Sequence, residues 1–202
     1  MPHIDIHKLS EHKLVRTSYD NSKNSAVLIP LVEDKNDETG WSVIFEVRAS
    51  NIGQGGEICF PGGRIEDNEH GTDAAIRETC EELLVDREQI ELIAPIVQIT
   101  GPKGGFIKSY LGVLSGYEMT YSKDEVDHVF KLPLSYFIDN EPITVPVNYK
   151  VDFPNDFPFE LIPNGKDYPF AAMKRDISFY ETQKGTIWGL TAEILKKFIS
   201  II

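Results

Sequence analysis

Runs rich in β-branched and aromatic residues at Ala26–Val32 and Trp41–Arg48 predict two strands, joined by the polar turn Glu33–Gly40. Gln89–Thr100 and Phe106–Leu114 predict two more, separated by Gly101-Pro102-Lys103-Gly104-Gly105, a strong turn signal. Ile143–Val151 alternates well enough for a later strand, and Asn164-Gly165 suits the closing of a hairpin. The period changes to helical over Asp73–Leu84, where no Gly or Pro interrupts. Thr72 is a plausible N-cap there, and Asp73 suits the positive end of a helix. At roughly 100° per residue, Ile76, Cys80, Leu83 and Leu84 form one apolar stripe that should face a core. Leu190, Ile194, Leu195 and Phe198 mark an amphipathic closing helix from Gly189, and a short helix is expected around Ile6–Val15. No repeat or low-complexity linker interrupts the pattern, so a single α/β domain spanning 1–202 is expected. Periodicity alone leaves several α+β topologies open.

The polar side of the Asp73–Leu84 helix carries the chemistry. Glu78, Glu81 and Glu82 fall opposite the apolar stripe with no Lys among them. Like charges at i, i+3 and i+4 destabilise a helix by a few tenths of a kcal/mol per pair, so a cation is expected at that face. A hard cation such as Mg²⁺ takes oxygen ligands and keeps several waters, a demand that carboxylates and substrate phosphates together can meet. Three glutamates alone in an acidic protein would more readily make a merely solvated face. The residues upstream shift the balance. Phe60-Pro61-Gly62-Gly63 precedes the helix, and Gly62 and Gly63 permit positive φ and close approach of backbone to a ligand or ion.

From Gly63 the chain reads a glycine, five residues, Glu69, seven residues, Arg77-Glu78, two residues, then Glu81-Glu82. This spacing resembles the Nudix box, G-x5-E-x7-R-E-U-x-E-E-x-G-U with U aliphatic. Thr79 departs from it at an aliphatic position, and Leu84 replaces the glycine that usually turns the chain after the helix. The resemblance implies a Nudix α/β/α sandwich with a mixed β-sheet. It implies that Glu78, Glu81 and Glu82, with the backbone carbonyl of Gly63, hold Mg²⁺ or Mn²⁺. It also implies that Glu69 pairs with Arg77 and steadies the loop and helix, and that a loop carboxylate such as Glu125 serves as ligand or base. Glu118, Asp124 and Asp127 are rivals of Glu125 in that role.

Flanking segments resemble the coenzyme A pyrophosphatase branch of that family. In that branch an arginine–serine run leads to a glycine four residues before F-P-G-G, parts that Arg48 and Gly56 would play. The branch usually adds a second arginine where this chain has Ile52. Glu125-Val126-Asp127-His128-Val129-Phe130 with Leu132-Pro133-Leu134, and Ile187-Trp188-Gly189-Leu190-Thr191-Ala192, resemble two further stretches of the branch. The implied activity is metal-dependent hydrolysis of coenzyme A or its thioesters to adenosine 3′,5′-bisphosphate and 4′-phosphopantetheine derivatives. Alternatives are hydrolysis of ADP-ribose, NADH or a dinucleotide polyphosphate, and a non-catalytic nucleotide-binding module, which loss of box carboxylates would have favoured.

Arg48, at a strand end near the F-P-G-G turn, is a candidate phosphate contact, with a surface ion pair as the alternative. Lys103 and Lys108 can read a 3′-phosphate, although solvated lysines are common. Trp188 can stack on adenine or belong to the core. The five histidines show no pairing at metal spacing, and His128 in an apolar neighbourhood reads as structural.

Composition narrows the partners. A net charge of −12 argues against a general nucleic-acid or membrane-surface binder and leaves small nucleotide-containing substrates held by metal and local cations. Cys59 and Cys80 lie in apolar settings without C-x-x-C spacing, as buried free thiols would. No charged-then-apolar leader opens the chain and no apolar run approaches about 18 residues, so a cytoplasmic protein, monomeric or homodimeric, is expected.

Overall fold

The structure, a computed structural model, describes Asp5 and residues 24–100, 105–170 and 173–202. The expected helix around Ile6–Val15 and the turn at 101–104, with Lys103, lie outside the described residues. Strand β1 (Ser25–Glu33) runs parallel to β6 (Phe106–Leu114), which pairs antiparallel with β5 (Ile90–Thr100). The other edge of β1 is divided. Its end, Leu31–Glu33, pairs with β2 (Trp41–Arg48), whereas Ser25–Val27 pairs with β4 (Gly62–Arg64). Beyond that divide, β2 takes β3 (Ile58–Cys59) on one edge and β7 (Val126–Pro133) on the other. The mixed sheet therefore splays where the Phe60–Gly63 turn enters.

Helix α1 (Gly71–Leu83) covers one face of this sheet, packing Ala74, Ala75, Ile76 and Leu83 on Ala26, Leu28, Ile44 and Tyr110. The opposite face carries α2 (Leu134–Asp139) and α3 (Gly189–Ile199), whose Phe137, Ile194, Leu195 and Phe198 meet Phe45, Ile96 and Leu111. An antiparallel sheet of β8 (Ile143–Tyr149), β9 (Met173–Thr182) and β10 (Gly185–Trp188) joins this second core through Tyr180 and Ile187. The result is an α/β/α sandwich around a mixed sheet, as the resemblance implied. Being covered on both faces, β2 is buried along nearly its whole length, including Ser42 and Glu46.

Several expectations need correction. The helix starts at Gly71 with His70 in the N-cap position, so Thr72 lies inside it and Asp73 in its first turn. Its buried face comprises Gly71, Ala74, Ala75, Ile76, Thr79, Glu82 and Leu83, rotated by roughly 110° from the predicted stripe. The small Ala75 and the buried Thr79 let the helix approach the sheet closely, and Thr79 satisfies its hydroxyl by donating to the Ala75 carbonyl at 2.6 Å. Leu84 is consequently left exposed, in a left-handed conformation with φ 52°. Asn164-Gly165 closes no hairpin. Asn164 precedes a short 3₁₀ turn, Gly165–Asp167, within the loop between β8 and β9. The β7, β9 and β10 strands and α2 were not predicted from periodicity.

Candidate active site

The site lies where the Phe60–Gly63 turn passes between β1 and α1. Gly62 has φ 151°, and a Cβ there would sit 2.3 Å from the Ala26 carbonyl oxygen, so only glycine lets the turn lie against β1. Its N–H donates to Glu82 Oε2 at 2.8 Å. A Cβ on Gly63 would stand 2.3 Å from the Glu78 carboxylate, so the absent side chain leaves the backbone against that group.

The three helix glutamates separate. Glu82 is buried in the seam between helix and sheet, Glu78 is half-buried, and Glu81 is 56% exposed. Arg77 organises the outer part. It grips Glu69 through Nε and Nη2 at 2.9 and 3.1 Å, donates to the Arg64 carbonyl at 3.1 Å, and reaches Glu78 at 2.8 Å and Glu81 at 3.5 Å. The expected Glu69–Arg77 pair thus pins the loop after β4 to α1. The hydrogen bonds between them hold the Glu69 carboxyl below its usual range and the Arg77 guanidinium well above its own. Burial pushes Glu78 up despite Arg77, and pushes Glu82 up to about 9, with the Glu46 charge adding to the effect.

Glu46 is a buried carboxylate that periodicity did not single out. It projects from β2 among apolar neighbours, and burial pushes it up to about 7, with Glu125 and Glu78 also raising it. The signal was present in the sequence as one acid within the apolar run Trp41–Arg48. Glu125 is exposed, yet its charge reaches both Glu46 and Glu78. Two bonds carry its loop to the site: Ser122 N–H donates to the Glu82 carbonyl and Thr120 Oγ1 to the Leu83 carbonyl, at 2.8 and 2.7 Å. Ala49 N–H then donates to the Glu125 carbonyl at 2.9 Å. Of its rivals, Asp127 pairs with His128 at 2.7 Å. His128 is itself half exposed and so departs from the expected structural role.

Among the described residues, no three His, Cys, Asp or Glu side chains converge on one cation position; Arg77 bonds Glu78 and reaches Glu81, and the Gly62 N–H bonds Glu82. The donor set nevertheless suits a hard divalent cation. It offers carboxylates that burial makes costly to ionise, backbone at Gly63 against Glu78, and a buried oxygen, Glu46 Oε2, without a hydrogen-bond partner among the described residues.

Beside Gly62 opens a cavity of about 390 Å³, lined by Arg48, Cys59, Phe60, Ile177, Trp188 and Leu190 among others. Arg48 folds back to donate from Nε to the Gly53 carbonyl at 3.0 Å, and its charge favours ionisation of both Glu46 and Glu82. Trp188 is partly exposed and stacks on Phe179 with centroids 6.2 Å apart, so it borders the cavity rather than filling the core. Lys108 instead lies over the Phe106 ring at 5.1 Å. Cys59 and Cys80 are both free.

The sequence signature of the NUDIX domain matches residues 22–141, which include the whole carboxylate site. The chain belongs to the Nudix family. Nudix hydrolases act on diphosphate bonds of small nucleotide-derived substrates and in general need divalent cations, and this Nudix chain is an enzyme of that kind. Nudix hydrolase 3 of Caenorhabditis elegans is 26% identical over 200 residues, covering 96% of this chain and 79% of that one. A peroxisomal coenzyme A diphosphatase of Mus musculus is 29% identical over 126 residues, covering 61% of this chain and 52% of that protein. The crystal structure of a MutT/nudix family protein from Enterococcus faecalis shares the fold with a TM-score of 0.50 at 16% identity, covering 91% of this chain and 62% of that one. No helix among the described residues is long and apolar enough to cross a membrane.

Proposed function

We propose that this Nudix hydrolase cleaves the diphosphate of coenzyme A or its thioesters, within a single domain spanning residues 1–202. Glu78, Glu81 and Glu82, with the Gly63 carbonyl, would hold Mg²⁺ or Mn²⁺. Such a cation supplies positive charge to the diphosphate oxygens and acidifies water at the site. Glu69 and Arg77 keep the Gly62–Glu69 loop and α1 in register, and Glu125, solvated and with its charge felt at Glu78, would accept the proton of the attacking water.

The observation that carries the substrate reading is the cavity meeting the carboxylate seam at Gly62. A substrate diphosphate above Gly62 would leave one arm to enter an apolar chamber of a size suited to a small ligand. Coenzyme A has an arm of that kind and a 3′-phosphate as well. Arg48 lies between chamber and seam, and among the described residues no carboxylate is within ion-pair distance of it. Arg175, the other arginine of the chamber, is already held by Glu193 at 2.6 Å. The mouse relative, a coenzyme A diphosphatase, supports the same reading.

A charge-assisted contact to phosphate contributes roughly 1.5–3 kcal/mol, or about one to two orders of magnitude in specificity. With Mg²⁺ or Mn²⁺ present, kcat/KM on coenzyme A should exceed that on 3′-dephospho-coenzyme A by about that factor, and Arg48→Ala should narrow the gap. Equal efficiency on the two would remove the 3′-phosphate from recognition. Faster cleavage of ADP-ribose than of either would overturn the coenzyme A reading.

A further inference from the structure

Glu46 is 1% exposed on β2, in register with Cys59 on β3. One carboxylate oxygen accepts the Cys59 thiol at 3.2 Å, and the other, Oε2, is buried without any hydrogen-bond partner among the described residues. No lysine or arginine there is within ion-pair distance of it. Leaving a buried carboxylate oxygen unpaired costs several kcal/mol, and a β-branched apolar residue would serve the strand better. The acid is therefore costly to the empty fold.

Its surroundings indicate what offsets that cost. Glu82 approaches from α1 and feels Glu46 more strongly than any other charge, while Glu46 in turn feels Glu125 and Glu78. Carboxylates from strand, helix and loop are thus near enough for their charges to act on one another. Arg48 acts on Glu46 only through its charge, donating from Nε to the Gly53 carbonyl, while Arg77 bonds Glu69 and Glu78. Ile44 of β2 packs with Ala74, Ala75 and Leu83 of α1, and Glu46, two residues further along, lies on that same face of the strand.

We infer that Glu46 supplies an oxygen ligand to the divalent cation from β2, as the floor of a centre whose other carboxylates come from α1. The inference rests on the assignment of the cation to Glu78, Glu81 and Glu82 and is independent of the identity of the substrate. It adds a ligand outside the helix, making the centre a bridge between the two layers. The competing account is a protonated Glu46–Cys59 pair that only packs.

The two accounts differ in metal binding without any turnover. Mn²⁺ affinity of Glu46→Gln, wild type and Glu82→Gln, measured by calorimetry on folded protein, separates them. Glu46→Gln should weaken Mn²⁺ binding at least about tenfold, the lower end of what disturbing a metal site's supporting groups does. Its melting temperature in chelator should equal or exceed that of wild type, because the uncompensated charge is gone. Weakening of less than about tenfold overturns the inference. Should Glu46→Gln not fold, Glu46→Thr is judged by the same criterion. Unchanged Mn²⁺ affinity in Glu82→Gln would instead overturn the assignment of the helix carboxylates. Loss in Glu82→Gln without loss in Glu46→Gln removes Glu46 alone.

Discussion

Leu84 shows how one residue can depart from a family pattern at a definite cost. It occupies the left-handed position after α1, where a non-glycine residue is disfavoured by about 1–2 kcal/mol, and its side chain is 58% exposed, so little burial offsets the strain. The helix end is instead secured by Thr120 and Ser122, which bond the Leu83 and Glu82 carbonyls. Leu84→Gly should therefore raise stability by about 0.5–1 kcal/mol, measured as an increased urea midpoint at unchanged slope. A lower midpoint would mean that the exposed leucine contributes packing that its accessibility does not reveal. Thr79 is the gentler departure, since its hydroxyl is satisfied by the preceding turn and its methyl fills the aliphatic position.

Among the elements, the turn between β1 and β2 bears most directly on the placing of the splayed strand. Asp34 accepts from Ser42, from the Asn36 N–H and from Lys131 of β7, the last at 2.8 Å. Asp37 accepts from Thr39 and from Ser135 at the start of α2. The turn so ties β1, β2, β7 and α2 together at the end of the sheet away from Gly62. The hydrogen bond from Lys131 holds the Asp34 carboxyl down at about 2, against an ordinary value of 3.8. A carboxyl depressed by folding adds stability above its ordinary pKa, and that stability is lost as pH falls through the folded value. Asp34→Asn should cost about 1–3 kcal/mol at pH 7, and the difference from wild type should shrink between about pH 4 and pH 2. A gap in melting temperature that stays constant over that range would show that Asp34 acts by shape rather than charge.

At the scale of the whole molecule, an acidic chain of net charge −12 buries two of its carboxylates, Glu46 and Glu82, where helix and sheet meet. Glu82 is pushed up to about 9 and Glu46 to about 7, chiefly by burial, from an ordinary value of 4.5. A carboxyl raised by folding favours the fold while protonated, so this stability is present below about pH 4.5 and is lost as pH climbs toward the folded values. In chelator, the melting temperature should fall between about pH 5 and pH 8. A divalent cation takes the place of those protons, so its effect should be larger at the higher pH. At about 100 times its dissociation constant, a ligand adds about 2.7 kcal/mol, or roughly 5–10 °C for a domain of this size. Scanning calorimetry with and without Mn²⁺ at pH 5 and pH 8 measures this directly. A gain at pH 5 as large as that at pH 8 would refute the idea that cation and proton compete for these groups.

Local order was legible in the sequence wherever it rests on short-range chemistry. Trp41–Arg48 and Phe106–Leu114 have the predicted bounds because dense β-branched and aromatic runs end at turn residues. Glu69, Arg77, Gly62 and Gly63 were readable because a fixed spacing along loop and helix encodes their contacts. Strands β9 and β10 were not, since they are held by pairing with each other and with β8 and lack a clear period of their own. The orientation of α1 was decided only by packing. The close approach allowed by Ala75 and Thr79 rotates the helix, turning Glu82 inward and Leu84 outward, against the face that hydrophobicity alone favours. The same holds for Glu46, which is an ordinary strand residue in sequence. Burial of β2 on both faces leaves its second oxygen without a partner among the described residues.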